Sequence, residues 1–114
     1  GSFRREARSF IGPVAAEEVR RFHLDRAFLG TSGLTTDGVF SSQNAIESEG
    51  KRAALAQAAR VLVLTDASKI GQAAFSIFAR AEQVHMVITN ESEAATRLRE
   101  AARFEVLTVN EEEL

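Results

Sequence analysis

Unbroken apolar runs alternate with helical segments along this chain, and this alternation limits the folds open to it. Runs rich in β-branched residues lie at 61–65, 84–89 and 104–109, and a shorter run lies at 26–30. Continuous apolar runs of this length are typical of strands that are covered on both faces. Strands of this kind separated by helices predict an α/β domain, with three layers built around a mainly parallel sheet.

The first 25 residues predict a short lead-in followed by a helix. Gly1-Ser2 is typical of a remnant of tag cleavage, and residues 1–8 are polar, basic and expected to be extended. Gly12-Pro13 then predicts a helix start, because proline is tolerated in a first helical turn. We expect this helix to close at His23 and Asp25.

Capping signals place two further helices. Asn44 is a candidate N-cap with Glu47 three residues later, as in a capping box, and the helix is expected over 45–60. Asn90 or Ser92 is expected to cap the last helix.

The overall composition excludes several classes of protein. The 14 Lys and Arg residues against 16 Asp and Glu leave a net charge of −2, which is unlike a chain that coats nucleic acid. Cysteine is absent, which excludes a disulfide scaffold, thiolate metal sites and cysteine nucleophiles. We find no apolar run long enough to span a bilayer and no signal peptide, and we expect a cytoplasmic protein.

The segments between the predicted strands carry the candidate chemistry. Residues 30–43 and 66–74 are loops by composition, and 75–79 are expected to form one or two helical turns. In a parallel sheet, ligands bind outside the carboxyl ends of the strands. The search for a site therefore falls on three places, which are Gly30 to Asp37, Asp66 to Gly71, and Asn90.

The run Gly30-Thr31-Ser32-Gly33 follows the first strand. Successive backbone amides in a glycine turn can bind an anion, and Thr31 and Ser32 add hydroxyl donors. A loop that only needs the conformational freedom of glycine explains the same residues. The run is not a Walker motif, because it lacks the GK[ST] ending, and Leu34 breaks the pattern of a nucleophile elbow.

Asp66 and Lys69 follow the next strand, and Lys69 is one of only two lysines among 14 basic residues. Together they offer an acceptor for hydroxyl groups and a cation for a phosphate or carboxylate. A turn aspartate that binds its own backbone, beside a solvated lysine, is the plainer reading. Glu47 and Lys51 at the start of the central helix either point at the same crevice or form an ordinary surface pair.

Other catalytic and metal sites find little support. His23 and His85 show no relation to Ser32, so a hydrolase triad is not indicated, and His85 is expected to be a hydrogen-bonded core residue. Two separated histidines and scattered carboxylates predict no bound metal.

Five blocks, taken together, resemble the C-terminal sensor domain of DeoR-family bacterial transcriptional regulators. The D-x-S-K-x-G and G-x-S-G patterns are the most specific of them. The blocks are Ser9 to Pro13, Asp25 to Leu34, Gly38, Asn44 to Ala53, and Asp66 to Gly71. The resemblance implies a fold similar to ribose-5-phosphate isomerase and glucosamine-6-phosphate deaminase. It also implies that the chain begins inside the sensor domain, so that residues 9–114 form a partial one.

The resemblance further implies a function. Members bind DNA through an N-terminal winged helix-turn-helix, absent here. Their sensor domain binds a phosphorylated sugar or related metabolite, which changes oligomerisation or operator affinity and usually relieves repression. A homo-oligomer with no cofactor, no metal and no enzymatic activity is therefore expected. By position, the effector-binding residues are Gly30, Thr31, Ser32, Gly33, Glu47, Lys51, Asp66 and Lys69.

Two other functions remain open at this point. A sugar-phosphate isomerase or deaminase would use Asp66 or Glu47 as the base, with Lys69 stabilising an enediolate. Alternatively, the domain is an oligomerisation module with a vestigial pocket.

Overall fold

The computed structural model describes residues 23–110, which contain seven strands and two α-helices. Two 3-10 turns, Ala67–Lys69 and Ala81–Gln83, complete the regular structure of this range. The predicted lead-in at 1–8 and most of the helix predicted from Gly12-Pro13 lie outside the described residues. The elements are β1 (Leu24–Gly30), β2 (Gly33–Leu34), β3 (Val39–Ser42), α1 (Ala45–Gln57), β4 (Ala58–Leu64), β5 (Ser76–Arg80), β6 (Met86–Asn90), α2 (Glu93–Ala101) and β7 (Glu105–Val109).

Four parallel strands form the large sheet, in the order β1-β4-β6-β7. This order advances in one direction, so right-handed crossovers bring the connecting segments to the same face of the sheet. The main core agrees with this, because alternate strand residues such as Leu29, Val63 and Val87 pack with Ala54 of α1 and Leu98 of α2. The predicted α/β class with a mainly parallel sheet is confirmed. The likeness to the two sugar-phosphate enzymes stays a prediction.

A second, antiparallel sheet of order β2-β3-β5 was not expected from the sequence. The predicted loop at 30–43 contains the β2-β3 hairpin, and the helical turns predicted at 75–79 are instead strand β5. Gly38 turns the hairpin with a φ of +86°, in the region that favours glycine. Phe78 of β5 is 2% exposed and packs near Phe40 of β3, with the ring centroids 6.2 Å apart. Tertiary pairing and burial therefore override the local signals in both segments.

Element boundaries differ from the predictions in two places. Strand β1 begins at Leu24, so Asp25 lies in a strand and does not close a helix. Helix α1 ends at Gln57, and 58–60 begin β4 because Leu24 and Arg26 of β1 pair with them.

Both predicted helix caps can be assigned. Asn44 is the N-cap of α1, where its side chain accepts a hydrogen bond from the backbone N of Glu47. Ser92 caps α2 by accepting from the Ala95 amide, whereas Asn90 ends β6. No helix among the described residues is long and apolar enough to cross a membrane.

Candidate functional site

The carboxyl ends of β1, β4 and β6 are neighbours in the large sheet, and the segments that follow them form the candidate site. Gly30 ends β1 and pairs with Leu64 at the end of β4. Leu64 in turn pairs with Ile88 of β6, two residues before Asn90. The sequence-predicted loops are therefore brought to one end of the sheet, where parallel α/β folds bind their ligands.

Most of the polar groups of the Gly30–Gly33 segment are engaged within the hairpin. The Thr31 hydroxyl lies 2.7 Å from the carbonyl oxygen of Gly33 and 3.0 Å from that of Ser41. The Ser32 amide donates to the same Ser41 carbonyl at 2.9 Å. The hydroxyl of half-buried Ser32 makes no hydrogen bond to a described residue, and it is the side-chain donor that this segment leaves for a ligand.

The two glycines of this segment have different roles. A Cβ added to Gly33 would lie 2.8 Å from the Gln72 carbonyl oxygen and 2.9 Å from the Ala74 amide nitrogen. Gly33 therefore allows the hairpin to approach the loop that follows β4. A Cβ on Gly30 would meet no atom within 4 Å, so the backbone of Gly30 borders open space.

Lys51 joins α1 to the ends of β1 and β3. Its Nζ donates to the Gly30 carbonyl oxygen at 2.7 Å and to the Ser42 hydroxyl at 2.9 Å. The ammonium also lies 4.7 Å from the centroid of the Phe78 ring. Helical side chains lean toward the helix N-terminus, which lets Nζ reach the end of β1 from the second turn of α1. The burial of this half-buried side chain lowers the pKa of Lys51, an effect that the Glu47 carboxylate partly opposes.

Glu47 lies one turn before Lys51 and is half-buried. Both residues are described, and their side chains form no ion pair, so the surface pair suggested by their spacing is not present. The carboxylate of Glu47 remains available as an acceptor near the start of α1.

The segment Asp66–Gly71, named here the 66–71 turn, follows β4 and packs against the hairpin. Its last residue, Gly71, has a φ of +90° and donates its amide to the Leu34 carbonyl at 2.7 Å. Ile70 also forms a parallel bridge with Leu34. These contacts join the two segments that the sequence predicted to share a site.

Asp66 and Lys69 have contrasting surroundings within the 66–71 turn. Oδ1 of Asp66 accepts the Ser68 amide at 2.8 Å, and hydrogen bonds from Ser68 lower the pKa of the Asp66 carboxyl. Lys69 is exposed, and its ammonium makes no hydrogen bond or ion pair with a described residue. The turn therefore holds an ionised carboxylate and an exposed cation three residues apart, and the positive charge of Lys69 contributes to the lowered pKa of Asp66.

Sequence reasoning missed several residues that build this region. Ser42 is fully buried beneath Lys51, and the Ser41 hydroxyl accepts the Ala74 amide at 2.8 Å. Asn90, which was searched as a strand end and considered as a helix cap but was not included among the predicted site residues, accepts the Ala67 amide at 2.7 Å through Oδ1. The serines carried no local signal, because their partners lie on other elements. The position of Asn90 at a strand end was the signal available for it.

His85 lies at the other end of the sheet, just before β6. Its Nδ1 accepts the Val61 amide at 3.0 Å, so the expected hydrogen bond exists, but the residue is exposed and does not belong to the core. Within residues 23–110, no group of three or more His, Cys, Asp or Glu side chains is placed to hold a metal ion.

Comparison with known proteins shows the family of the chain. Residues 1–91 match a family model described as "DeoR C terminal sensor domain". The chain is 32% identical over 90 residues to "HTH-type transcriptional regulator GlpR" of Haloferax volcanii, covering 79% of this chain and 35% of that protein. It is 30% identical over 91 residues to "Transcriptional repressor AccR" of Agrobacterium fabrum, again covering 79% and 35%.

A third relative matches almost the whole chain. The "Putative aga operon transcriptional repressor" of Escherichia coli O157:H7 is 29% identical over 113 residues, covering 97% of this chain and 42% of that protein. The chain thus spans less than half the length of each of these curated relatives. The family match covers 1–91, a range that includes every predicted site residue. The chain belongs to the family of DeoR C-terminal sensor domains.

Proposed function

We propose that this chain is the effector-sensing part of a longer, cytoplasmic, homo-oligomeric transcriptional regulator. In this proposal it binds a phosphorylated sugar or related metabolite, and binding changes the affinity of the whole regulator for its operator. One observation carries the proposal. The 66–71 turn is joined to the hairpin at Leu34, while the Lys69 ammonium and the Ser32 hydroxyl make no hydrogen bond to a described residue.

The role proposed for each side chain follows from whether its polar groups already have hydrogen-bond partners within the protein. Lys69 offers an exposed cation to a phosphate, and the Ser32 hydroxyl adds a neutral donor. The carboxylates of Asp66 and Glu47 accept hydrogen bonds from sugar hydroxyls. A ligand that combines an anionic group with several hydroxyl groups uses all four side chains.

The other predicted site residues form the frame of the proposed site. Gly33 allows the hairpin to pack against the loop that follows β4, and the Thr31 hydroxyl lies within hydrogen-bond distance of the Gly33 carbonyl oxygen. Gly30 has no side chain and leaves open space beside the end of β1. Lys51 holds Gly30 in place and has one further ammonium proton for a ligand.

Effector sensing requires that the ligand bind one arrangement of the regulator more tightly than another. Coupling free energies of about 1–3 kcal/mol, typical of allosteric proteins, change operator affinity by roughly 5-fold to 150-fold. The names of the relatives, which include a transcriptional repressor of Agrobacterium fabrum, support a regulatory role over a catalytic one. The lowered pKa of Asp66 also makes that carboxylate a weak general base near neutral pH.

Calorimetric titration with sugar phosphates, each paired with its unphosphorylated sugar, tests this proposal. We expect saturable binding that needs the phosphate and involves no turnover. Lys69→Ala is expected to weaken binding at least tenfold with the fold retained, while the control Arg97→Ala, an exposed cation on α2, leaves binding unchanged. Turnover of an aldose or ketose phosphate would favour the isomerase, and a firm dimer that binds no sugar phosphate would favour the oligomerisation module.

A further inference from the structure

Asn90 links the end of β6 to the 66–71 turn across 23 residues of sequence. Its Oδ1 accepts the backbone amide of Ala67 at 2.7 Å, and the side chain is half-buried. Ala67 is the first residue of the 3-10 turn that presents Lys69. A side chain from a different strand therefore holds the beginning of this turn.

Every backbone amide from Ala67 to Gly71 is already hydrogen-bonded. Only the bonds at the two ends of this run reach outside the turn, to β6 at one end and to β2 at the other. The acceptors, in the order of the five donors, are Asn90 Oδ1, Asp66 Oδ1, the Asp66 carbonyl, the Ala67 carbonyl and the Leu34 carbonyl. Because these amides are engaged, an anion at this turn has to be bound by side chains, and above all by Lys69.

The orientation of the Asn90 amide follows from its partner. A backbone amide can only donate, so the atom that faces Ala67 is the oxygen Oδ1. The Nδ2 group, with two N–H donors, makes no hydrogen bond to a described residue. The end of β6 therefore offers two neutral donors next to a turn that carries a cation.

We propose that Asn90 is a positioning residue of the effector site. By anchoring Ala67 it sets where Lys69 stands over the carboxyl end of the sheet, and its Nδ2 favours an anionic group there. This inference rests on the proposed function and adds a residue to it. An aspartate at position 90 would keep the acceptor for Ala67, but it would replace two donors with a negative charge.

Amide hydrogen exchange measured by NMR on the 114-residue chain tests the anchoring. We expect Asn90→Ala to speed exchange of the Ala67 amide about tenfold, the effect of losing one hydrogen bond of ordinary strength. Asn90→Asp should restore protection to within about threefold of the wild type, because its carboxylate still accepts. The matched control Asn44→Ala removes a similar bond at α1 and should affect the Glu47 amide but not Ala67. Unchanged exchange at Ala67 in Asn90→Ala would overturn the inference.

Titration with inorganic phosphate, followed at the Lys69 and Ser32 amide signals, tests the consequence for binding. We expect Asn90→Ala to weaken phosphate binding about threefold to tenfold. Asn90→Asp should weaken it as well, although its turn is restored, because the new carboxylate repels the anion. If the wild type and Asn90→Ala bind phosphate equally, the role of Asn90 is overturned while the proposed function stands. Absence of phosphate binding by the wild type overturns the proposed function and, with it, this inference.

Discussion

Replacing Lys51 with methionine tests whether the ammonium group holds β1, β3 and α1 together. Methionine keeps a flexible apolar stem of similar reach, so the change removes the charge and its hydrogen bonds with little loss of packing. The exposed Gly30 carbonyl can bind water in place of Nζ. The Ser42 hydroxyl is 0% exposed, and it loses the partner that lies 2.9 Å away.

These contacts set the expected magnitude. A buried hydroxyl left without its partner costs about 1–3 kcal/mol. Loss of the ammonium above the Phe78 ring costs about 0.5–1 kcal/mol more. Relief of the desolvation of the buried charge offsets part of this loss. We therefore expect Lys51→Met to lower the free energy of unfolding by about 2 kcal/mol near neutral pH.

The effect should also depend on pH. Burial lowers the pKa of Lys51 from its ordinary value of 10.5, so the unfolded chain binds this proton more tightly than the folded one. Between the lowered pKa and 10.5 the unfolded state holds more protons, and the wild type gains stability as the pH rises. Lys51→Met lacks the group, so the difference in stability between the wild type and the variant should grow across this window.

Urea unfolding of the wild type, Lys51→Met and Lys69→Met provides the assay. Lys69 is the chain's other lysine, and its exposed ammonium makes no hydrogen bond or ion pair with a described residue, so its replacement should change the stability by no more than about 0.5 kcal/mol. The reasoning fails if the two variants unfold at the same urea concentration with the same slope. It also fails if the difference between wild type and Lys51→Met shrinks as the pH is raised toward 10.5.

Three further predictions concern other parts of the fold. Gly33→Ala should destabilise the protein by about 1–3 kcal/mol in thermal unfolding, because its Cβ has to displace backbone atoms of the next loop, whereas Gly30→Ala should be nearly neutral. Asp66→Ala should lower the urea midpoint at pH 7. Because the pKa of Asp66 is lowered in the folded state, its carboxylate contributes stability that is fully present above pH 3.8 and is lost as the pH falls through the folded-state pKa. The free energies of unfolding of the wild type and Asp66→Ala should therefore converge in acid. Arg99→Ala should promote concentration-dependent association in light scattering, while Arg97→Ala should not, since Arg99 covers at 3.3 Å the Val106 carbonyl of β7, the outermost strand of the large sheet within residues 23–110.

Local sequence signals were sufficient to predict the elements whose stabilising contacts lie within a few residues along the chain. The Asn44 side chain caps α1 through an amide three residues away, and Ser92 does the same for α2. The continuous apolar runs of β4 and β6 reflect burial in a parallel sheet whatever their exact neighbours are. These features depend on contacts a few residues apart or on average hydrophobicity, and a single sequence displays both.

The small antiparallel sheet could not be predicted, because its stabilising contacts join residues that lie far apart in the sequence. Strand β3 contains Ser41 and Ser42, which look like loop residues until their partners are known. Ser41 accepts an amide 33 residues away, and Ser42 accepts from Lys51 on α1. Strand β5 resembled a helical turn because Phe75, Phe78 and the residue after it lie at i, i+3 and i+4, the spacing of a helix. Pairing with β3 decides in favour of a strand.

The sequence alone therefore determined the parallel α/β class, the two capped helices and the family, because each rests on short-range spacing or on blocks kept in order. Tertiary structure decided which of the predicted site residues are engaged in internal hydrogen bonds and which remain available to a ligand. It engaged Thr31 and Lys51 in internal hydrogen bonds and left the ammonium of Lys69 without a hydrogen bond or ion pair to a described residue. It also brought Asn90 to the turn that presents Lys69. A hydrogen bond between residues far apart in sequence has no local trace, since only the folded chain brings donor and acceptor within 3 Å.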